Sequence, residues 1–209
     1  MGNVNRVVSL FVLLLSLLTS ISICENKALS AKVTNSAFIN NIVSRFHEGI
    51  KLYKKYQEAE KLSIEKASTE DEYWKIRQKT DDYNEKILFL AYFECVKILS
   101  EKQKNNKPNK YQKVLIEEFL KILLVFEGSA DEEWSRGSGE AYFRNPYLIE
   151  YGIRKFSVKK QKMLVERINR SFEYYSDGFE YFAPGEDKKQ LESIRKRLEE
   201  FTDLIRMKQ

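Results

Sequence analysis

The sequence is poor in the residues that build most catalytic and metal centres. Its 209 residues include one histidine, His47, and two cysteines, Cys24 and Cys95. These counts exclude a zinc site made from several Cys and His ligands, and they leave one histidine for a Ser-His-Asp or Cys-His arrangement. Because His47 lies beside the apolar stripe of a predicted helix and far in sequence from Cys95, we expect a partly exposed helical histidine without a catalytic role.

Other absences exclude further classes of site and of protein. The chain has three prolines and eight glycines, and 13% of its residues are aromatic, which excludes the composition of a disordered chain. Residues Gly137–Gly139 lack the lysine and the strand of a phosphate-binding loop. The acidic runs Asp81–Asp82 and Asp131–Glu133 lack the spacing of calcium ligands. We therefore predict that the protein is not an enzyme and that it binds no metal and no cofactor.

Long apolar runs are also scarce, and the longest lies at the N-terminus. The mean hydropathy of −0.51 excludes a multi-pass membrane protein. Val7–Leu18 is almost entirely apolar and follows Arg6, but a membrane-spanning helix needs roughly 20 apolar residues. We interpret residues 1–24 as a secretory signal peptide and residues 25–35 as a flexible tether, with an uncleaved membrane anchor as the alternative. The expected location is secreted or on the outer cell surface.

Two cleavage sites remain open, and they lead to different mature proteins. In the first, cleavage after Cys24 releases a protein that begins at Glu25. In the second, Ile21–Cys24 resembles the lipid-attachment box of bacterial lipoproteins, although Ile23 stands where those boxes prefer a small residue. This resemblance implies that Cys24 becomes an acylated first residue. In both cases Cys95 is the one cysteine of the folded part, so we expect no intramolecular disulfide and a buried, inert thiol.

From Ser36 onward, apolar residues recur at the three-and-four spacing of helices, and no stretch alternates as a strand does. We predict an all-α fold, an elongated helical bundle of about five to six helices with no sheet, which forms a single domain over residues 36–209. Helices are expected to begin near Ser36, at the capping box Thr69–Glu72, at Pro108 and at Pro146. The last helix carries a heptad seam that requires a partner helix.

The buried face of the second predicted helix follows one continuous period. Its stripe comprises Tyr73, Ile76, Thr80, Tyr83, Ile87, Leu90, Glu94 and Ile98, and Trp74 and Leu88 widen it, so Leu90 is expected in the core. The third helix, which includes Ile122, is apolar nearly all round and is expected at the centre of the bundle. In the first helix, Gly49 is expected to be a weak point that costs about 1 kcal/mol relative to Ala.

Two segments are candidate binding surfaces. Between Gly128 and Pro146 the helical pattern lapses, and this irregular loop and the residue after it combine aromatic and arginine side chains, as binding hot spots do. Its candidate residues are Trp134, Arg136, Tyr142, Phe143, Arg144 and Tyr147. The alternative is that the loop folds back and its rings cover the core.

The second candidate surface is basic. Seven Lys and Arg residues lie between Arg154 and Arg170 against one acid, Glu166, and the binding candidates among them are Lys159, Lys160, Lys162 and Arg167. In an exported protein this face would meet anionic lipid headgroups, sulfated glycans or an acidic protein, and we expect no nucleic acid. A solvated helix face is the alternative explanation.

These observations predict an exported or surface-anchored helical binding protein. Its partner would be another protein or an anionic surface, engaged through the aromatic loop and the basic helix face, and it would contact a membrane only through a lipid at Cys24. One alternative function is a secreted carrier that holds a small apolar ligand between its helices. Another is a structural or oligomerisation role for the heptads of the last helix.

Overall fold

The structure is a computed structural model that describes residues 36–65, 70–101, 107–126, 132–177 and 188–208. The proposed signal peptide, the tether and Cys24 lie outside the described residues. The chain divides into two compact units, Met1–Asn40 and Asn41–Gln209. In the first unit the described residues, 36–40, are helical.

The described residues form helices and no strand, which confirms the all-α fold. The helices are α1 (Ser36–Glu65), α2 (Glu70–Tyr83), α3 (Phe89–Ser100), α4 (Lys110–Val125), α5 (Glu132–Arg144), α6 (Pro146–Ile153), α7 (Val158–Asp177) and α8 (Lys188–Arg206). A π-helical turn, Asn84–Leu88, joins α2 to α3 without a break, so these ranges contain seven continuous helices. None of the helices in the described ranges has both the length and the apolar character that a membrane crossing requires.

Helix α5 corrects the prediction of an irregular loop between Gly128 and Pro146. Gly137 and Gly139 lower its local helix propensity, which is why the sequence pattern there looks irregular. Tertiary packing overrides that propensity. A Cβ atom at position 139 would overlap the backbone carbonyl of Ser171 and lie 2.6 Å from the Cβ atom of Tyr175. Gly139 thus lets α5 approach α7 more closely than any other residue would allow.

The π-helical turn corrects the predicted buried stripe of α2 and α3. The backbone N–H of Phe89 donates to the carbonyl oxygen of Asn84, a five-residue hydrogen bond that adds one residue to the turn. The buried face therefore passes from Tyr83 to Leu88, five residues on. Leu90 is 58% exposed, so its prediction as a core residue is wrong.

The same shift gives Gly49 a packing role. A Cβ atom at position 49 would lie 2.7 Å from Cδ2 of Leu88, the residue that the π-helical turn directs into the core. Gly49 and Leu88 are both buried. The glycine that weakens α1 locally is therefore the residue that accommodates the side chain of Leu88.

Helix α4 begins with a side-chain cap that also closes the end of α3. Oδ1 of Asn109 accepts hydrogen bonds from the backbone N–H groups of Tyr111 and Gln112, each at 2.9 Å. Nε2 of Gln112 donates to the carbonyl oxygens of Ile98 at 3.2 Å and Glu101 at 3.1 Å. The Ile98 carbonyl belongs to the last turn of α3 and the Glu101 carbonyl follows it, so one side chain supplies donors to two carbonyl groups at this helix end.

The predicted apolar seam of α8 packs against other helices of the same chain. Leu198, Phe201 and Ile205 are buried, and the contacts of α8 are with α6 and α7. Between α7 and α8, Nδ2 of Asn169 donates to Oγ1 of Thr202 at 2.8 Å. The partner helix that the heptad spacing requires is therefore present in this chain.

Candidate functional site

Trp134 lies near the start of α5 and joins it to α3 and α4. Its indole stacks on the ring of Phe126 with centroids 5.6 Å apart and an interplanar angle of 9°. The ring centroid of Tyr92 lies 4.3 Å from that of Trp134, and the hydroxyl of Tyr92 donates to the backbone carbonyl of Trp134 at 2.6 Å. The indole is half-buried, with one side held by aromatic rings. It is therefore a rigid aromatic surface.

Tyr142 and Phe143 belong to the core. Both are almost fully buried, and the ring of Phe143 lies 5.6 Å from that of Tyr175. The hydroxyl of Tyr142 donates to Oε1 of Glu150 at 3.0 Å, and burial raises the pKa of that hydroxyl. The structure therefore agrees with the alternative interpretation, in which these two rings cover the core. Neither ring is available to a partner at the surface.

Two further candidates of this segment, Tyr147 and Arg144, contact residues other than Trp134. Tyr147 on α6 is 49% exposed, and the guanidinium of Arg197 lies 3.7 Å from its ring centroid. Arg144 pairs with Glu140 on its own helix at 4.0 Å and lies 5.6 Å from the ring of Phe143. Arg136 on α5 is half-buried and makes contacts within the fold.

A pocket of about 260 Å³ opens between α4, α5 and α7, and we name it the arginine–aromatic pocket. It is lined by Ile122, Leu123, Phe126, Trp134, Ser135, Ser138, Arg167, Arg170, Ser171 and Tyr174. The structure thus brings together Trp134 and Arg167, two candidates from separate segments of the sequence. The pocket combines an apolar floor with two guanidinium groups, an arrangement suited to an apolar group that carries or neighbours a negative charge.

Packing of the surrounding helices fixes the walls of this pocket. The contact of Gly139 with the backbone of Ser171 holds α5 against α7 beside the pocket. The hydroxyl of Ser138 donates to the carbonyl oxygens of Trp134 at 3.3 Å and Ser135 at 3.0 Å, so this donor is used within α5. Ile122 is fully buried and forms part of the floor. The pocket is therefore framed by the core itself.

Helical geometry divides the lysine candidates of α7 into two groups. Lys160 precedes Arg167 by two turns, which places it about 10 Å along the axis and within about 20° of the same side. Lys162 lies about 140° around the axis from Arg167. Lys159 and Lys160 are exposed and Lys162 is half-buried. The pocket side of α7 thus continues through Lys160 and not through Lys162.

Sequence reasoning missed several residues of the pocket. Arg170 belongs to the basic run, yet only its spacing of three from Arg167 and four from Tyr174 would single it out as a member of the same helix face. Phe126 and Leu123 fit the pattern of core residues. Their place beside the pocket follows from how the helices pack, and no local signal marks it.

The residues with catalytic potential lie elsewhere in ordinary surroundings. Nε2 of His47 contacts Oε2 of Glu118 at 2.8 Å at the surface. Burial opposes the ionisation of Glu118, but hydrogen bonds from Lys121 and His47 outweigh it and lower the pKa of this carboxyl. Cys95 is fully buried, and burial raises the pKa of its thiol well above the ordinary value. The described ranges hold no group of three or more His, Cys, Asp or Glu side chains placed to hold a metal ion, and the absence of a cofactor stays a prediction.

A second cluster of arginine and aromatic side chains joins α5, α6 and α8. Arg197 donates two hydrogen bonds to Glu150, from Nε to Oε1 and from Nη2 to Oε2, each at 2.7 Å. Tyr142 donates to the same carboxylate, and Tyr147 lies against the guanidinium. We name it the Glu150–Arg197 cluster. Its charges are balanced inside the chain, so its role is to fasten the three helices together.

Comparison with known proteins adds no family to this description. The chain matches no family model, no curated protein and no solved structure.

Proposed function

We propose that this protein is an exported binding protein that docks a partner macromolecule at the arginine–aromatic pocket and along the adjoining basic side of α7. One observation carries the proposal. Trp134 and Arg167, which sequence patterns select independently as binding candidates, line the same pocket. Tryptophan and arginine are, with tyrosine, the residue types enriched among the side chains that dominate binding energy.

The dimensions of the pocket favour a side chain of a partner over an enclosed small molecule. Sites for small molecules usually measure about 300–1,000 Å³ and enclose most of the ligand. This pocket has about 260 Å³ and is open to solvent on one side. A single aromatic or branched aliphatic side chain of a partner would fill it, and the rest of that partner would lie on the surface around it.

Export is part of the proposal, and the N-terminus of the mature protein tests it. The apolar run Val7–Leu18 and the residues up to Cys24 support a cleaved signal peptide. Intact mass measurement on protein from its native host distinguishes the two mature forms. Added acyl mass on Cys24 indicates a lipid anchor, and a start at Glu25 indicates a released protein. A full-length mass with Met1 retained contradicts export by cleavage.

Position-specific cross-linking tests the docking role. We would place the photoreactive residue p-benzoylphenylalanine at Tyr174, in the pocket lining, and in a second variant at Met207, which is exposed on the end of α8. The expected result is a partner cross-linked in the native extracellular fluid from position 174 and not from position 207. Adding Arg170→Glu to the first variant should abolish the product, and the control Arg206→Glu should not. Equal cross-linking from both positions contradicts the proposal.

The carrier function remains the second candidate because the floor of the pocket is apolar. Ile122, Leu123, Phe126 and Trp134 would contact the body of a small ligand. Native mass spectrometry separates the two functions. Copurified lipid-like mass that is lost in a Leu123→Arg variant would favour the carrier, whereas the mass of the polypeptide alone would favour docking of a macromolecule.

A further inference from the structure

We infer that the partner segment docked at the arginine–aromatic pocket is an acidic peptide with a single apolar anchor side chain. This inference rests on the proposed function and specifies the chemistry of the partner. It depends on one arrangement: Arg167 and Arg170 of α7 line the same pocket as Trp134 of α5.

The charged side chains in the described lining of the pocket are of one sign. Among the described residues that line it, two are arginines and none is acidic. An anchor side chain that enters the apolar floor must bring its neighbouring residues close to these guanidinium groups. Carboxylates there gain charge-assisted hydrogen bonds, which are stronger than neutral ones, whereas lysine or arginine neighbours would be repelled. The pocket therefore selects for acidic residues beside the anchor.

The basic side of α7 sets where the next acidic residue lies. Lys160 is exposed and continues the side of the helix that carries Arg167, about 10 Å toward the helix N-terminus. A span of about 10 Å corresponds to about three residues of an extended peptide. Glu166 lies about 100° around the axis from Arg167 and limits the basic strip on that side. The partner segment should thus carry one acidic residue beside its anchor and another about three residues away.

The apolar floor of the pocket and the narrow basic strip beside it favour an acidic peptide over other polyanions. A sulfated glycan offers negative charge but no apolar side chain for the floor formed by Phe126 and Trp134. A bilayer surface offers both, but its headgroups meet a protein as a broad plane, whereas the cationic strip here is a narrow line of three residues bordered by Glu166. An acidic peptide supplies a protruding anchor and charges in a line.

The test uses the full chain and its own tryptophan. Trp74→Phe leaves Trp134 as the one indole, and Trp74 lies on α2, outside the lining of the pocket. The probe is a synthetic peptide of eleven residues with acetylated and amidated ends, a central Phe and Glu at three positions on each side. The matched control peptide has Gln in place of every Glu.

We expect the Glu peptide to change the emission of Trp134 and to bind at least about tenfold more tightly than the Gln peptide at low salt, because its carboxylates can pair with the half-buried Arg167 and with the exposed Arg170 and Lys160. The difference should shrink as ionic strength rises. Arg170→Gln should weaken the Glu peptide about tenfold and Lys160→Gln about threefold. Lys162→Gln, on the other side of α7, should change its affinity by less than about twofold.

Three results would overturn the inference. Equal binding of the two peptides at Trp134 removes the acidic requirement and leaves the pocket as a docking site for apolar anchors. No response of Trp134 to either peptide, alongside selective cross-linking from position 174, also removes this partner class while the docking role stands. Tighter binding to vesicles with 30% phosphatidylserine than to the Glu peptide, with the same dependence on Arg170 and Lys160, assigns the site to a membrane surface instead.

Discussion

Arg197 and Arg170 belong to two arginine–aromatic sites that differ in whether their described residues include a carboxylate. In the Glu150–Arg197 cluster the carboxylate comes from α6 of the same chain, and the guanidinium lies against Tyr147. In the arginine–aromatic pocket the described lining residues are apolar, hydroxyl-bearing or basic. Arginine and aromatic side chains thus fasten helices together at the first site. At the second site the described lining includes no acid, and we propose that a partner supplies one.

The first prediction concerns the apolar floor of the pocket. Ile122→Ala should lower the free energy of unfolding by about 4 kcal/mol, because it truncates a fully buried side chain and enlarges the pocket. Leu90→Ala, its matched control on the outward face of α3, should cost less than about 1 kcal/mol. Urea denaturation measures both. Similar losses for the two variants would place Leu90 in the core and contradict the shift at the π-helical turn.

The second prediction concerns a substitution that disrupts the Glu150–Arg197 cluster and leaves the arginine–aromatic pocket intact. Glu150→Ala should cost about 3 kcal/mol, because Arg197 and the hydroxyl of Tyr142 lose their common acceptor in a mostly buried position. Arg170→Ala, at the pocket, should change stability by less than about 0.5 kcal/mol. Denaturation curves of the two single variants, measured side by side, test this difference in stability. Restored stability in the double variant Glu150→Leu, Arg197→Met would confirm that the uncompensated charge of Arg197 causes the loss.

The third prediction concerns the contact that frames the pocket. Gly139→Ala should cost about 2 kcal/mol and shift the emission of Trp134, because the new methyl group overlaps the backbone of Ser171. Gly49→Ala should cost about 1 kcal/mol, since it meets the flexible end of the Leu88 side chain. Thermal unfolding followed by fluorescence compares them. A larger loss for Gly49→Ala would show that the Leu88 side chain is a less yielding neighbour of Gly49 than the α7 backbone is of Gly139.

The smallest effect is expected from pH. The pKa of Tyr142 is raised by burial and by the nearby Glu150, so the folded state keeps this proton at pH values where the unfolded state releases it. Stability from this group is present below about pH 10, the ordinary tyrosine pKa, and is lost as the pH rises above it. Tyr142→Phe removes the titration. Between pH 9 and 11 the free energy of unfolding should therefore fall less steeply with pH in the variant than in the natural protein. Equal slopes would contradict a raised pKa for Tyr142.

Local signals predicted much of the fold. The seam of α8 appears in its heptad spacing. Pro108 indicated the start of α4 to within two residues, although it lies before the N-cap Asn109 and not in the first turn of the helix. The register of α3 was not predictable from periodicity, because a π-helical turn adds a residue without any sequence marker. Helix α5 was missed because its glycines lower local propensity and serve contacts with Tyr92, Ser171 and Tyr175 that lie far away in sequence.

The candidate site was predictable only in its parts. Composition selected Trp134 and Arg167 separately, and the meeting of α5 with α7 depends on the close contact at Gly139, which a one-dimensional pattern does not reveal. Tyr142 and Phe143 have the composition of binding residues and the environment of core residues. Burial depends on the neighbours that an aromatic ring acquires on folding, so residue type alone could not separate these rings from Trp134.

The glycines of α5 also bear on the evolutionary history of the chain. A side chain at position 137 would meet the ring of Tyr92 at 2.7 Å, and one at position 139 would meet the backbone of α7. Mutational drift cannot enlarge position 139 without moving α5 away from α7, and it cannot enlarge position 137 without displacing the buried ring of Tyr92. Descendants of a common ancestor that keep this architecture should therefore share a Gly-x-Gly pattern inside a helix, even where little else in their sequences agrees.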